Sequence, residues 1–351
     1  MRLSHQTIEL KPTHPFVIAR GGYAHHMNVI VRLVDEEGNE GFGEAAPNKY
    51  YGESVATVTA ALDQFTSLLS AADPFGIERI ESAIGQALQK NAAAKGAVSA
   101  ALHDLVGKRL GLPVHRLWGL DAEDAPQSSF TIAIADNDVL RQRVAEAKDY
   151  PILKIKLGTD RDEEIVHIVH DAAPGKRLRV DANAAWTPKQ AVRMSAFLAE
   201  LGVEMLEQPV AAQDLDGLRF VRKQSKLPVF ADESCLIAAD IPKLAGAVDG
   251  INIKLAKCGS LREALRMVHT ARAHGMEVMA GCMIESSLGI SAIAQISPLL
   301  DHADFDGAAL LAEDPFRGTT IEGGAVKLGT GPGLGAMPRP GVRAPVAFPS
   351  A

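Results

Sequence analysis

Cysteine is scarce in this 351-residue chain, which has three (Cys235, Cys258 and Cys282), an odd number set far apart. A chain of this length does not depend on disulfides for its core, so three free thiols in a reducing compartment are expected rather than a stapled secreted module. Aromatic residues are sparse at 5%, and nowhere do 18 apolar residues run together. The opening Met1-Arg2-Leu3-Ser4-His5-Gln6 lacks an apolar h-region. Neither a spanning helix nor a secretory leader is expected, and the cytoplasm is the expected location. Positive charge is not in excess: 36 Lys and Arg stand against 43 Asp and Glu, a net of −7. That balance disfavours nucleic acid and anionic membrane as partners.

What is present is an ordinary globular composition, 47% hydrophobic and 23% charged, with 31 Gly and 19 Pro. Disorder, collagen and low complexity are excluded. The length suits about two domains with a sizeable core. Residues 1–50 read as an antiparallel meander, with alternating runs at Leu3–Leu10 and Asn28–Val34 and a turn at Glu36-Glu37-Gly38-Asn39. From Glu53 to about Leu110 the apolar period becomes helical, as in Val55, Val58, Leu62, Phe65 and Leu69, and three helices are expected.

After the polar stretch Asp121–Pro126 the texture turns to short apolar runs separated by helix-length segments, the pattern of parallel βαβ units, and a new domain is expected near residue 127. The expected strands are Phe130–Ala133, Ile152–Leu157, Leu178–Val180, Val203–Leu206, Val229–Ala231, Gly250–Ile253, Glu277–Ala280 and Ala303–Leu311. Eight such strands point to an α/β fold, a closed (β/α) barrel. The Gly- and Pro-rich tail from Gly318 should be loop and short strand returning to the opening domain.

Polar residues interrupt the apolar runs at their C-terminal ends: Lys156, Asp181, Glu207, Asp232, Lys254 and Asp304. The first five are spaced by 25, 26, 25 and 22 residues. In a parallel barrel all strand C-termini reach one rim, so these side chains should converge. Asp181, Glu207 and Asp232 repel one another unless a cation sits between them, and all-oxygen ligation favours Mg²⁺ over Zn²⁺. In Ile152-Leu153-Lys154-Ile155-Lys156-Leu157 the strand period of two puts both lysines on one face, and the apolar residues on the other would pack on helices. Lys254 should face the site from the opposite side. A buried amine beside another amine and a metal ion should have a lowered pKa, suited to proton transfer. Two bases facing across a cation suit removal of a proton α to a carboxylate and its return on the other face, which is racemisation or epimerisation.

Lys154-x-Lys156, Asp181-x-Asn183, Glu207-Gln208-Pro209, Asp232-Glu233-Ser234 and Lys254 together resemble the muconate-lactonizing subgroup of the enolase superfamily. The resemblance implies an α+β capping domain over residues 1–120, a barrel over 121–315 and a segment, 316–351, that completes the cap. Within the subgroup, Pro15–Gly21, Gly281-Cys282-Met283 and Asp304-Phe305-Asp306-Gly307 are most similar to dipeptide epimerases. Carried over by motif, Lys156 and Lys254 exchange the proton, while Asp181, Glu207 and Asp232 hold Mg²⁺. Lys154 touches the reacting carboxylate, Thr131 and Cys282 line the pocket, and Asp304 and Asp306, expected on one strand face, hold the α-ammonium of a dipeptide. Some such epimerases carry an arginine in the capping loop that pairs with a substrate glutamate. That position is Gly21 here, with Arg20 one residue earlier, so the resemblance leaves open whether the dipeptide is Ala-Glu-like or another L-Xaa-L-Xaa. Gly22, Tyr23, His25, His26, Tyr50 and Tyr51 would shape the side-chain pocket. Assembly into a homo-oligomer is expected.

Two readings compete. One keeps the site but changes the reaction to that of an o-succinylbenzoate synthase, N-acylamino-acid racemase or cycloisomerase; the other is a non-catalytic binding barrel, which would have lost a metal ligand or lysine. Two local patterns carry no function: His167-x-x-His170 falls on an expected outer helix, and Gly331-Pro332-Gly333-Leu334-Gly335-Ala336 matches a dinucleotide fingerprint without the strand that must precede it.

Overall fold

A computed structural model describes residues 1–340. Strands β1 (Arg2–Leu10), β4 (His26–Val34) and β5 (Glu40–Ala45) form an antiparallel sheet in the order β1-β4-β5, and a small hairpin of β2 (Phe16–Ile18) and β3 (Gly21–Tyr23) projects between β1 and β4 in sequence. Three helices follow, α1 (Val55–Ser70), α2 (Ile77–Ala87) and α3 (Ala92–Leu110). Helix α1 starts where it does because Ser54 and Thr57 cap each other, Ser54 Oγ accepting from Thr57 N and Thr57 Oγ1 accepting from Ser54 N at 2.9 Å. Val29, Val31 and Leu33 of β4 pack against Val58, Leu62 and Phe65 of α1 and Val98, Leu102 and Leu105 of α3 in a core of their own. Close approach of α3 to β5 requires glycine: a Cβ at Gly41 or Gly43 would stand 2.0 Å from the carbonyl oxygen of Ala101 or Ala97.

The barrel strands are β6 (Phe130–Ile132), β7 (Ile152–Lys156), β8 (Arg177–Asp181), β9 (Val203–Glu207), β10 (Val229–Ala231), β11 (Gly250–Ile253), β12 (Glu277–Gly281) and β13 (His302–Asp304), joined in sequence order and all parallel. A parallel bridge between Ser128 and Ala303, with Ser129 N donating to Ala303 O at 3.1 Å, links the last strand to the first. Leu153, Ile155 and Leu157 join the apolar layer between strands and helices, leaving Lys154 and Lys156 inside the barrel. Two residues before the rim, Met205, Phe230 and Met279 form a separate apolar cluster. The buried Arg179 beside it donates to His302 Nδ1 at 3.1 Å. The layer beneath the polar rim is therefore mixed, with these apolar side chains beside the buried Arg179, Lys154 and Asn252.

The eighth strand is shorter than expected. It ends at Asp304, where Phe305 N turns to donate to Ser128 Oγ at 2.8 Å, and the backbone from Asp306 to Leu310 closes a turn. Asp304 and Asp306 do not share a strand face; Asp306 sits on the turn beyond it.

Capping segment and barrel meet at a buried polar joint. Glu44 of β5 accepts from Asn28 Nδ2 at 2.7 Å, Ser286 N at 3.1 Å and Gly289 N at 3.1 Å, so it caps the helix Ser287–Ala294 that follows β12. Near the chain's end, Val114 N donates to Gly333 O at 2.9 Å, and Leu334 N donates to Asp104 of α3 at 2.8 Å. Residues 341–351 of the expected returning segment lie outside the described residues. The Gly331–Ala336 stretch is irregular, with one bridge from Gly333 to Pro113, and the exposed His167 lies against the Phe197 ring on an outer helix. Trp186 is buried with its Nε1 on Asp162, and Trp118 packs edge-on to His103. Among the described residues no helix is long and apolar enough to cross a membrane.

Candidate active site

Strand register brings the rim residues together. Lys156 pairs with Asp181 across β7 and β8, Asp181 with Glu207 across β8 and β9, and Glu207 with Phe230, just before Asp232, across β9 and β10. Asp181, Glu207 and Asp232 are all buried, and one oxygen of each lies within 4.8 Å of the others. Four amines pair with them, Lys257 and the three expected lysines. Lys154 Nζ is 2.6 Å from Glu207 Oε2, 2.7 Å from Asp304 Oδ2 and 3.4 Å from Asp181 Oδ2. Lys156 Nζ is 2.6 Å from Asp181 Oδ2, and Lys254 Nζ, four strands round from β7, is 2.8 Å from Asp232 Oδ2.

This pairing sets the protonation of the site. Burial alone would lower the pKa of Lys254, but Asp232, Glu207 and Glu233 together outweigh it and the amine stands above its ordinary value. Lys154 is likewise raised, burial being overcome by Asp304, Glu207 and Asp181. With the carboxylates carrying no other cation, neighbouring carboxylates rather than neighbouring amines dominate at these two lysines; the lowered pKa is an expectation for an amine beside a bound metal ion. Burial and the Asp181 charge push Glu207 up to about 7. Asp232 is held far below the carboxylate range because Lys254 and Lys257 together outweigh its burial. Three crowded, desolvated carboxylates, one of them driven toward neutrality, converge as an all-oxygen donor set. A hard divalent cation, which takes oxygen ligands, fits that donor set.

Above the cluster lies a cavity of about 580 Å³ between barrel and capping segment. Lys156, Asp232, Lys254, Thr131, Cys282, Asp304 and Asp306 line it, whereas Lys154, Asp181 and Glu207 lie beneath its floor. At one end Ser129 Oγ donates to Asp304 Oδ1 at 2.7 Å and Thr131 N to Asp306 Oδ2 at 2.6 Å. Burial opposes ionisation of Asp304, but Lys154 and Lys156 bring it down to about 2. Asp306, buried and beside Asp304, is pushed up to about 6. Cys282 Sγ contacts Asp304 O at 3.3 Å.

The capping segment supplies the opposite wall, including Gly21, Tyr23, His25, His26, Tyr50 and Tyr51 but not Gly22. Arg20 reaches across to the barrel: Nη2 is 2.7 Å from Glu233, Nη1 donates to Asn183 O at 2.6 Å, and the guanidinium lies 4.3 Å from the Tyr50 ring centre. Its charge is thereby engaged by the protein itself.

Several participants escape a reading of strand ends. Asn252, two residues before Lys254, donates to Glu207 Oε1 at 2.7 Å, and the period of two would have exposed it as inward-facing. Lys257, three residues after Lys254, reaches Asp232 from behind. Gln208 ties the rim together, its Oε1 accepting from Asp232 N and Ser234 N, each at 3.0 Å, and its positive φ of 33° gave no sequence signal.

The model for the mandelate racemase / muconate lactonizing enzyme N-terminal domain matches residues 4–119, and the model for the enolase C-terminal domain-like family matches 138–342. The L-Ala-D/L-Glu epimerase of Bacteroides thetaiotaomicron is 42% identical, covering 96% of this chain and 88% of that protein. A hydrophobic dipeptide epimerase of Roseobacter litoralis is 39% identical over 96% of this chain and 99% of its own. Among solved structures, the Enterococcus faecalis dipeptide epimerase complexed with Mg and L-Leu-L-Tyr superposes with a TM-score of 0.91 at 34% identity, covering 95% of this chain and 98% of that one. With both halves matched and whole-length relatives this similar, the chain belongs to the mandelate racemase / muconate lactonizing enzyme family, whose barrel is enolase-like.

Proposed function

We propose that this protein is a Mg²⁺-dependent dipeptide epimerase that inverts the α-carbon of the C-terminal residue. The observation that carries the reading is the placement of Lys156 and Lys254, at the C-terminal ends of strands four apart in an eight-stranded barrel, with three buried carboxylates between them. Relatives at 36–42% identity bear dipeptide epimerase names, in agreement with it. Asp181, Glu207 and Asp232 would hold Mg²⁺, which when bound supplies positive charge for a substrate carboxylate whose α-proton is leaving and offsets the carboxylates that otherwise keep the amines protonated.

The chain's own residues do the rest. One amine, Lys156 Nζ or Lys254 Nζ, takes the α-proton from its face of the substrate, and the other, as an ammonium, delivers a proton to the opposite face; the reverse reaction exchanges their roles. Lys154 would contact the reacting carboxylate. Asp304 and Asp306, oriented by Ser129 Oγ and Thr131 N, would accept the free α-ammonium. Thr131 and Cys282 line the space between. Residues 1–120 would act as the cap, 121–315 as the catalytic barrel, and 316–351 as the segment returning to the cap. We further place the enzyme in the cytoplasm as a homo-oligomer without nucleic-acid or membrane partners; three free thiols suit a reducing compartment.

Acidic residues at the ammonium end favour a free dipeptide over the acyl substrates of an o-succinylbenzoate synthase, N-acylamino-acid racemase or cycloisomerase. Screening free and N-acetylated dipeptides in D₂O by mass spectrometry tests this. Free dipeptides should gain one α-deuterium on inversion, and thorough chelation should stop the exchange. Equal turnover of the N-acetylated set would overturn the dipeptide assignment, and exchange that survives chelation would overturn the cation.

A further inference from the structure

Each carboxylate of the cluster has its two oxygens held differently. Asp181 Oδ1 accepts from Asn183 N at 2.8 Å, while Oδ2 meets Lys156. Glu207 Oε1 accepts from Asn252 Nδ2, while Oε2 meets Lys154. Asp232 Oδ1 accepts from Lys257 Nζ at 2.6 Å, while Oδ2 meets Lys254. One oxygen is thus bound by the scaffold and the other by an amine at the centre. Of the three scaffold donors, Lys257 alone carries a charge.

The Lys257 side chain is fully buried, and its Nζ has four oxygens around it: Asp232 Oδ1 and Asp232 O at 2.6 Å, Asn252 O at 2.8 Å and Cys235 O at 3.1 Å. An ammonium has three N–H groups, so every donor is satisfied, as a buried charge requires. The one-turn helix Leu255–Cys258 places Lys254 and Lys257 three residues apart, and they grip opposite oxygens of one carboxylate. Lys254 lines the cavity and can leave Oδ2 when something enters; Lys257 does not line it.

We infer that Lys257 is a positioning residue for the cation site: by holding Oδ1 it fixes the Asp232 rotamer and leaves Oδ2 alone to face Asp181 and Glu207. This rests on the reading of the three carboxylates as a Mg²⁺ site. Two effects of Lys257 oppose each other. As a nearby positive charge it repels a divalent cation, so its removal would tighten binding; as an orienting group its removal would loosen binding. Its charge is already offset by direct contact with Asp232, and orientation wins. Groups that orient metal ligands typically change metal affinity 10–100-fold.

The test is calorimetric titration of the metal-stripped full chain with Mg²⁺. Lys257→Met should bind Mg²⁺ about 10–100-fold more weakly than wild type. Lys257→Gln, which keeps an N–H donor without the charge, should lie between, and it carries the test if Lys257→Met does not fold. Melting temperatures without Mg²⁺ separate a structural loss from a lost metal. A variant that melts earlier yet binds Mg²⁺ as tightly as wild type, or more tightly, overturns the inference. A wild type that binds no Mg²⁺ removes the cation reading itself, a different failure.

Discussion

The two-base arrangement is tested by removing one amine at a time. In Lys156→Ala, Asp181 loses its 2.6 Å partner but keeps Lys154 at 3.4 Å and the Asn183 N–H at 2.8 Å. In Lys254→Ala, Asp232 keeps Lys257 at 2.6 Å. Neither substitution strands a carboxylate without a cation, so both variants should fold. A positioned general acid or base contributes about 10²–10⁴ in rate, which is roughly 3–5 kcal/mol of barrier, and inversion should fall by at least that factor in either variant. Lys154 is not expected to substitute, since its amine is already engaged by Glu207 at 2.6 Å and Asp304 at 2.7 Å. The faces should also separate. With both epimers of one dipeptide incubated in D₂O and followed by proton NMR, each variant should exchange the α-proton of one epimer only, and the two variants should choose opposite epimers. Inversion above about one hundredth of the wild-type rate in either variant, or exchange of both epimers by both, would refute two bases on two faces.

Two further outcomes depend on acidity. Asp306 must be ionised to hold an ammonium, and burial together with Asp304 raises it to about 6; kcat/KM for a free dipeptide should therefore rise with pH through about 6. Asp306→Asn should abolish this limb along with most activity, and an unchanged limb would assign it elsewhere. Glu285, buried and beside Glu44, is pushed from 4.5 up to about 8. A carboxyl raised on folding contributes stability below its unfolded value that is lost as pH rises through its folded value, here by an upper bound on the order of several kcal/mol. Glu285→Gln does not titrate, so its melting temperature should gain on wild type between about pH 4.5 and 8 and hold steady above; a pH-independent difference would show that Glu285 ionises normally.

The rim was legible because it obeys simple periods. Alternation in Ile152–Leu157 placed Lys154 and Lys156 inside, and one polar residue per βα unit marked the strand ends. Asp306 was misplaced because the run Ala303–Leu311 is apolar enough to read as strand, while the turn at Phe305 depends on Ser128, a residue 177 positions away. The acidity of Lys254 is not legible in the same way: spacing shows which charges converge, but the sign of the shift depends on the balance of burial, carboxylates and amines around it.

Composition, period and motif by themselves determined the βα rhythm, the identity of the polar rim and the chemistry those side chains could support, since these follow from local repeats of two and of one βα unit. Tertiary structure alone decided how the capping segment meets the barrel. Glu44 on Ser286 and Gly289, and Arg20 on Glu233 and Asn183, join residues more than 160 positions apart whose pairing no local pattern encodes. It also decided which oxygen each amine holds, because ångström differences between buried charges set that balance and the sequence carries no distances.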